Sequence, residues 1–326
     1  MQTTLNPAWY QGRKRRSPYF EGWYFKLVNR TETHRYAIIP AVFLTEGREG
    51  PHAFIQIFDG VAGKMIYVPY PLSDFWAAED RFEVHVGPNV FTTTTMHLDI
   101  RHPDLTLQGE VTFHNPLPWP VTAFSPGIMS WFAWIPFMEC YHGVLSLDHA
   151  LAGGFTINGQ AVDFGGGRGY IEKDWGKSFP SGWVWMQTNH FDAPGTSLTG
   201  SIAMIPWIGR AFRGFIVGLW HNETLYRFAT YTGAKTEYLH INDVVVAWLI
   251  TDRLYYLMIN AYRGEAVDLR GPSKVDMSVR VPEALTAEIK VRLATRRGDH
   301  TIFEGRGRNA GLEVAGDLQT LAGKSL

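Results

Sequence analysis

Residues 169–191 read GYIEKDWGKSFPSGWVWMQTNHF, and their side chains alternate in chemical type over two short segments. In the first segment Tyr170, Glu172 and Asp174 occupy every second position. In the second segment tryptophan and amide side chains alternate with valine, methionine, threonine and histidine side chains. Such a period of two is typical of β-strands, whose side chains point to opposite faces. The stretch therefore predicts two strands separated by the turn sequence KSFPSG.

The same alternation recurs along the chain. It is found at 82–87, 95–100, 104–115, 213–221, 224–233, 254–262 and 287–297. Amphipathic helices are scarce, and we expect one only over 125–137, with Ser125 as its N-cap. We therefore predict an all-β fold of antiparallel barrels or sandwiches with few short helices. So many strands suit two β domains, 1–178 and 179–326.

The composition is that of a globular protein whose net charge creates no strong electrostatic field. The 326 residues are 45% hydrophobic, and 30 Lys+Arg against 31 Asp+Glu give a formal charge of −1. This balance gives no reason to expect nucleic acid as a partner. The single cysteine, Cys140, excludes an internal disulfide and a cysteine-based zinc site, and it suits a reducing compartment. We expect a cytoplasmic protein.

Common metal and nucleophile motifs are missing from the sequence. The 12 histidines form no HExxH and no convincing two-histidine, one-carboxylate spacing. The sequence also lacks G-x-S-x-G, which disfavours Ser-His-Asp catalysis. We expect no metal site.

Residues 115–138 carry no charge over a length that could span a bilayer. Five prolines and one glycine in this segment argue against a spanning helix. We expect it to form a cavity lid or to contact a membrane peripherally. The first residues contain no apolar run, so we expect no signal peptide and no transmembrane helix.

Three carboxylates are candidates for acid chemistry. In SPYFEGWYFKLV, 17–28, Glu21 shares a face with aromatic side chains, which would remove its hydration, raise its pKa and let it donate a proton. Glu172 and Asp174 lie two positions apart, within about 7 Å, close enough to push their pKa values apart. In each case the alternative is a structural carboxylate that is hydrogen-bonded or ion-paired, with Lys173 as one candidate partner.

The second half of the opening stretch predicts a ligand-binding wall. Alternation puts Trp183, Trp185, Gln187, Asn189 and Phe191 on one face of a strand, with Val184, Met186, Thr188 and His190 behind them. Aromatic and amide side chains on one face suit a cavity for a large apolar ligand with a polar end. The alternative is ordinary packing. His142 and His190 are further candidates for proton transfer, or else satisfied core residues.

Two segments resemble the tocopherol cyclase family. They are YFEGWYFKLV, 19–28, and YIEKDWGKSFPSGWVWMQTNHF, 170–191. The likeness extends to segments such as GGFTINGQAVDF, 153–164, although Asp174 stands where the plant motif has Asn. The resemblance implies two lipocalin-like halves, related to carotenoid hydratases, and a cofactor-free cyclisation of a prenylated phenol or quinol to a chromanol.

The resemblance also implies roles for the residues singled out above. Asp174 or Glu172 would protonate the alkene, with Glu21 and His190 as the next candidates. The substrate-binding residues would be Trp23, Tyr24, Trp175, Trp183, Trp185, Gln187, Asn189 and His142.

Two other functions stay open. Water could attack instead of the phenol, which would make the protein a hydratase, or it could be a non-catalytic carrier of a hydrophobic ligand. We favour an enzyme, because a carrier has no use for carboxylates among aromatic rings. The expected partner is a hydrophobic small molecule such as a prenylated aromatic or another isoprenoid, and the sequence does not specify the oligomeric state.

Overall fold

The fold is all-β, as the alternation predicts. The computed structural model describes residues 2–192 and 194–323 and contains two antiparallel sheets. The first sheet comprises β1 (Tyr19–Val28), β2 (Arg35–Leu44), β3 (His52–Asp59), β4 (Lys64–Pro71), β5 (Phe75–Ala77), β6 (Glu83–Val86), β7 (Asn89–Thr92), β8 (Thr95–His102), β9 (Leu105–His114), β10 (Cys140–Ile157), β11 (Gln160–Asp163) and β12 (Arg168–Gly176). The second comprises β13 (Gly182–Thr188), β14 (His190–Phe191), β15 (Ser197–Trp207), β16 (Arg210–His221), β17 (Thr224–Ala229), β18 (Lys235–Ile241), β19 (Val245–Thr251), β20 (Tyr255–Tyr262), β21 (Val267–Gly271), β22 (Val279–Thr295) and β23 (Thr301–Gly316). Within the described residues, the helical elements are three 3-10 helices, Leu72–Asp74, Ser130–Trp134 and Thr230–Thr232, and α1 (Leu318–Leu321).

Each sheet is open in the part of the chain that the structure describes. The first has the order β4-β3-β2-β1-β12-β10-β9-β8-β7-β6-β5, with β11 beside β10. The second has the order β17-β16-β15-β13-β23-β22-β20-β19-β18. The prediction of an all-β protein with antiparallel sheets and few short helices is confirmed.

The chain divides into two compact units. The first contains the residues up to Phe179 together with Leu269–Val279, and the second contains Pro180–Asp268 and the residues from Arg280 onward. The two domains expected at 1–178 and 179–326 stay a prediction, since the short segment Leu269–Val279 clusters with the first unit.

One face of β1 carries the core of the first unit. Trp23, Phe25 and Leu27 are fully buried in one apolar cluster. Because side chains alternate along a strand, Glu21 lies on this core face and Tyr24 lies on the other. β12 lies between β1 and β10, so its side chains divide between the same two faces.

The face predicted for 183–191 is wrong at its far end. Phe191 packs in the core of the second unit with Val184 and Met186, not on the tryptophan face of β13. The neighbouring β22–β23 ladder has register shifts, and Asn309 of β23 has a φ of 47°. Such irregularities change the face to which a strand directs its side chains.

The helix expected over 125–137 is also wrong, because only Ser130–Trp134 is helical, as a 3-10 turn. Gly127 and Ser130 have φ values of 66° and 50°. These left-handed conformations cannot be part of a right-handed α-helix. Among the described residues, no helix combines the length and the apolar character needed to cross a bilayer.

Candidate functional site

The register of β12 brings the candidate acids beside a histidine. Asp174 is paired with His142 of β10, and Glu172 is paired with Tyr24 of β1. Tyr170 follows the same alternation, so these side chains lie on the face opposite the core. We call His142, Glu172 and Asp174 the carboxylate–histidine cluster.

His142 is positioned between the two carboxylates of the cluster. Its Nδ1 lies 2.8 Å from Asp174 Oδ1, and its Nε2 lies 3.6 Å from Glu172 Oε2. Burial disfavours charge on the imidazole, but Glu172 and Asp174 outweigh this effect and raise the pKa of His142 to about 9. His142 is therefore an imidazolium at neutral pH.

The two carboxylates of the cluster differ in their surroundings. Glu172 is buried and accepts a hydrogen bond from the Tyr170 hydroxyl. The Asp174 side chain is 31% exposed. Of the two, Asp174 is therefore the one that can exchange protons with solvent or meet a ligand.

The cluster has the composition of a metal site, and its ligand atoms lie within 4.8 Å of one another. The ring geometry argues against one shared ion, because the two nitrogens of His142 point in different directions and each faces a different carboxylate. A metal on Nε2 would leave Asp174 as a hydrogen-bond partner of the ring and not as a ligand. The described residues of the cluster are better suited to sharing protons.

Glu21 lies on the core face, where an ion pair and further hydrogen bonds occupy both of its oxygens. Glu21 and Lys173 are fully buried, and Nζ lies 2.5 Å from Oε1. Glu21 also accepts from the Tyr19 hydroxyl and from the backbone N–H of Gln11, which reaches both oxygens. Each oxygen thus accepts two hydrogen bonds, the usual capacity of a carboxylate. This environment favours a fixed structural role.

Lys173 lies between two of the tryptophans predicted to bind substrate. Its Nζ is 5.2 Å from the ring centre of Trp23 and 4.9 Å from that of Trp175, and it donates to the carbonyl of Trp9 at 2.7 Å. Burial lowers the pKa of Lys173, while Glu21 opposes the shift. The indoles therefore stabilise a cation that belongs to the protein itself.

A cavity of about 160 Å³ lies in the first unit beside His142. Tyr141 and Trp175 line it, with rings that stack at 5.5 Å and 7°. Residues of the segment expected to form a lid also contribute: Pro126, Met129, Ala133, Trp134, Ile135 and Pro136. The rest of the lining comes from the N-terminal arm, which we define as residues 2–16: Thr3, Thr4, Pro7, Gln11 and Arg15.

The remaining predicted site residues lie in the second unit. Trp183, Trp185 and Gln187 alternate with the core residues of β13 and are buried. Asn189 follows β13 and hydrogen-bonds through Oδ1 to Nδ1 of His190 at 2.9 Å. The structure therefore brings together His142, Glu172, Asp174 and Tyr24 on one face of the first sheet, while Glu21 and Trp23 lie on its core face.

Sequence reasoning missed a pair of acids in the second unit. Trp183 donates from Nε1 to Glu313 at 2.7 Å, and Glu313 is paired across the ladder with the fully buried Glu283. The sequence could have indicated Glu283, because this residue lies between Val281 and Leu285 at a position where the alternation predicts an apolar side chain. Tyr141 and Arg15 were also missed, and no local pattern reveals that they line one cavity.

Comparison with known proteins identifies relatives by sequence. A family model described as tocopherol cyclase-like matches residues 105–316. The chain is 26% identical over 121 residues to the probable chloroplastic tocopherol cyclase of Oryza sativa subsp. japonica, covering 35% of this chain and 25% of that protein. It is 27% identical over 109 residues to the chloroplastic tocopherol cyclase of Zea mays, covering 32% and 23%. The matched region spans about a quarter of the length of these curated relatives.

Comparison of structures extends over more of the chain. The crystal structure of CghA with Sch210972 is similar with a TM-score of 0.56 and 10% identity, covering 92% of this chain and 89% of that one. At this identity, the likeness demonstrates a shared fold.

Proposed function

The chain belongs to the tocopherol cyclase-like family, and we propose that it is a proton-transfer enzyme that cyclises a prenylated phenol or quinol without a cofactor. Family membership supports the reaction class. The observation that carries the proposal is the position of His142, whose charged ring donates a hydrogen bond to the partly exposed Asp174.

In this proposal Asp174 delivers a proton that His142 holds on Nδ1 before the reaction. Asp174 accepts the Nδ1 hydrogen bond of the charged ring, so the proton can pass along this bond to Asp174 and from there to the alkene. The buried Glu172 faces the second nitrogen of His142 and stabilises the charged ring before the transfer. Glu21 is not included, since Lys173, Tyr19 and the backbone N–H of Gln11 together occupy both of its oxygens.

The proposed reaction is an isomerisation. The proton from Nδ1 of His142 passes through Asp174 and forms a C–H bond with the less substituted alkene carbon, and the π electrons of the alkene leave a tertiary cation. The phenol oxygen then forms the C–O bond, and its proton returns through Asp174 to His142. Alignment of the oxygen with the cationic carbon contributes about 7–11 kcal/mol in well-oriented intramolecular reactions.

The substrate-binding roles of the aromatic and amide residues remain part of the proposal. Trp183, Trp185, Gln187 and Asn189 would form a binding wall for an apolar ligand within the second unit. Their burial in a row of aromatic and amide groups supports this assignment. His190 already bonds Asn189, so we give it no role as acid.

The proposal is tested by incubating the full chain with a prenylated hydroquinone and following the product by mass. We expect a product of unchanged mass. Asp174→Asn should lower the rate by about 100-fold or more, the usual contribution of a general acid. Glu110→Gln, which alters an exposed carboxylate of the same sheet, should leave the rate unchanged.

The other outcomes contradict the proposal in different ways. A product that gains one water would identify a hydratase. Binding without turnover, unaffected by Asp174→Asn combined with Glu172→Gln, would identify a carrier. Equal rates for Asp174→Asn and Glu110→Gln would place the acid elsewhere.

A further inference from the structure

The cavity beside His142 has an unbalanced set of charged groups. Its lining includes Arg15, which is also exposed to solvent, and His142, but neither an aspartate nor a glutamate. The positive charge of His142 is compensated by Glu172 and Asp174. Arg15 has no carboxylate within ion-pair distance among residues 2–192 and 194–323. Its charge is close enough to Tyr141 to oppose the rise in the pKa of that phenol caused by burial.

The walls of the cavity provide flat apolar surface. The rings of Tyr141 and Trp175 are nearly parallel, and the indole of Trp134 lines the cavity as well. Such surfaces favour a planar ligand group through offset or edge contacts. Polar groups of the N-terminal arm lie around the same space, which suits an aromatic ring with polar substituents.

The size of the cavity limits what it can hold. Pockets for whole small-molecule ligands measure about 300–1,000 Å³, whereas this cavity measures about 160 Å³. It can accept one ring, but not a ring together with a long isoprenoid chain.

We propose that this cavity is a subsite for the ring end of the substrate, and that the ring carries a carboxylate that forms an ion pair with Arg15. That the ligand is a substrate follows from the proposed function, on which this inference rests. The inference narrows the substrate class to prenylated aromatic acids. An Arg–carboxylate pair is the arrangement to which a guanidinium is best matched.

The test measures binding of two small probes to the full chain by calorimetry. The probes are 4-hydroxybenzoate and its neutral analogue 4-hydroxybenzamide. We expect the benzoate to bind more tightly than the amide to the unmodified protein. Arg15→Gln should weaken benzoate binding by roughly tenfold, as for a lost charge-assisted hydrogen bond, and should leave amide binding unchanged.

Two further variants show whether the effect is local. Arg13→Gln is the matched control, because Arg13 lies on the same arm and pairs with Glu79 outside the cavity; it should bind both probes like the unmodified protein. Ala133→Trp places a large ring at the cavity wall and should block both probes while far-ultraviolet circular dichroism stays unchanged. Equal affinity for the benzoate in Arg15→Gln, or full binding in Ala133→Trp, overturns the proposal.

Failure of this inference and failure of the proposed function give different results. If the subsite is right and the cyclase proposal is wrong, the probes bind as described but no prenylated aromatic turns over. If the cyclase proposal is right and the subsite is wrong, a neutral prenylated hydroquinone turns over at a rate that Arg15→Gln and an added carboxylate do not change.

Discussion

His142 and Asp174 join two neighbouring strands through a hydrogen bond of 2.8 Å between Nδ1 and Oδ1. The two residues are direct partners in the β10–β12 ladder, so the backbone register fixes the contact. With Glu172 on the second ring nitrogen, the imidazole is held from both sides. The cluster is therefore built into the sheet and does not depend on a loop.

The charge on His142 makes the stability of the fold depend on pH. The pKa of this group rises from 6.5 to about 9 on folding. Because the folded value is the higher one, the stabilisation is complete below about pH 6.5 and is lost as the pH rises through about 9. The shift corresponds to about 3 kcal/mol at most. The measurement is the free energy of unfolding in urea at about pH 6 and at about pH 9.5. We expect the difference between these two values to be smaller in His142→Gln than in the unmodified protein.

His97→Gln is the control for this measurement, since His97 is half exposed and lies 4.0 Å from Glu110. It should unfold with the pH dependence of the unmodified protein. If His142→Gln also kept that dependence, the imidazole would not be charged in the folded state.

Removal of one partner of the Glu21–Lys173 pair is expected to destabilise the fold. Removing one partner leaves an uncompensated buried charge, which costs about 3–5 kcal/mol. Glu21→Gln should therefore lower the free energy of unfolding by that amount. The double variant Glu21→Gln, Lys173→Met should lose less, because no charge is then left buried.

The exposed pair Arg13–Glu79 provides the comparison. Its side chains are 60% and 58% exposed, so Glu79→Gln should change the free energy of unfolding by no more than about 1 kcal/mol. A Glu21→Gln variant as stable as Glu79→Gln would mean that Lys173 loses its proton at little cost when its partner is removed.

The fold class and the faces of β1 and β12 could be predicted from the sequence, because alternation is a local pattern. The alternation correctly placed Glu21 and Tyr24 on opposite faces of β1, and Glu172 and Lys173 on opposite faces of β12. It failed at Phe191, where irregular pairing in a neighbouring strand changes the face. A local pattern contains no information about the partner strand.

The contacts that define the site could not be predicted for a related reason. His142 and Asp174 are 32 positions apart in the chain, and their contact requires β10 to be a neighbour of β12. The same holds for Glu21 and Lys173, which are 152 positions apart. The sequence named most of these residues as candidates, but strand order decides which carboxylate is paired with lysine and which with histidine.

Gln11 is expected to stabilise the conformation of the N-terminal arm. Its Nε2 donates to the carbonyls of Thr3, Asn6 and Trp9 at 2.9–3.2 Å. Gln11→Ala should therefore increase amide hydrogen exchange in residues 2–16 by roughly tenfold, with β1 and β12 unaffected. Gln2→Ala, which alters an exposed side chain on the same arm, should exchange like the unmodified protein. Unchanged protection in Gln11→Ala would show that the arm is held by other contacts.

The uncharged segment 115–138 is expected to contact a membrane surface through its aromatic side chains. Phe124 is 91% exposed, and Trp131 and Phe137 are 45% and 53% exposed. Exposed apolar groups of this size in one segment mark an interaction surface, and Trp and Phe side chains favour the interface of a bilayer. We expect the full chain to float with liposomes in a density gradient and the triple variant with serine at these three positions to stay at the bottom.

The control for flotation replaces exposed apolar residues elsewhere. Val244 and Leu254 are 66% and 64% exposed in the second unit. Serine at both positions removes comparable aliphatic exposure without touching segment 115–138, so this variant should float like the unmodified protein. If the unmodified chain does not float, or if both variants lose flotation equally, segment 115–138 has no specific affinity for the bilayer. Its role would then be limited to lining the cavity through residues such as Trp134.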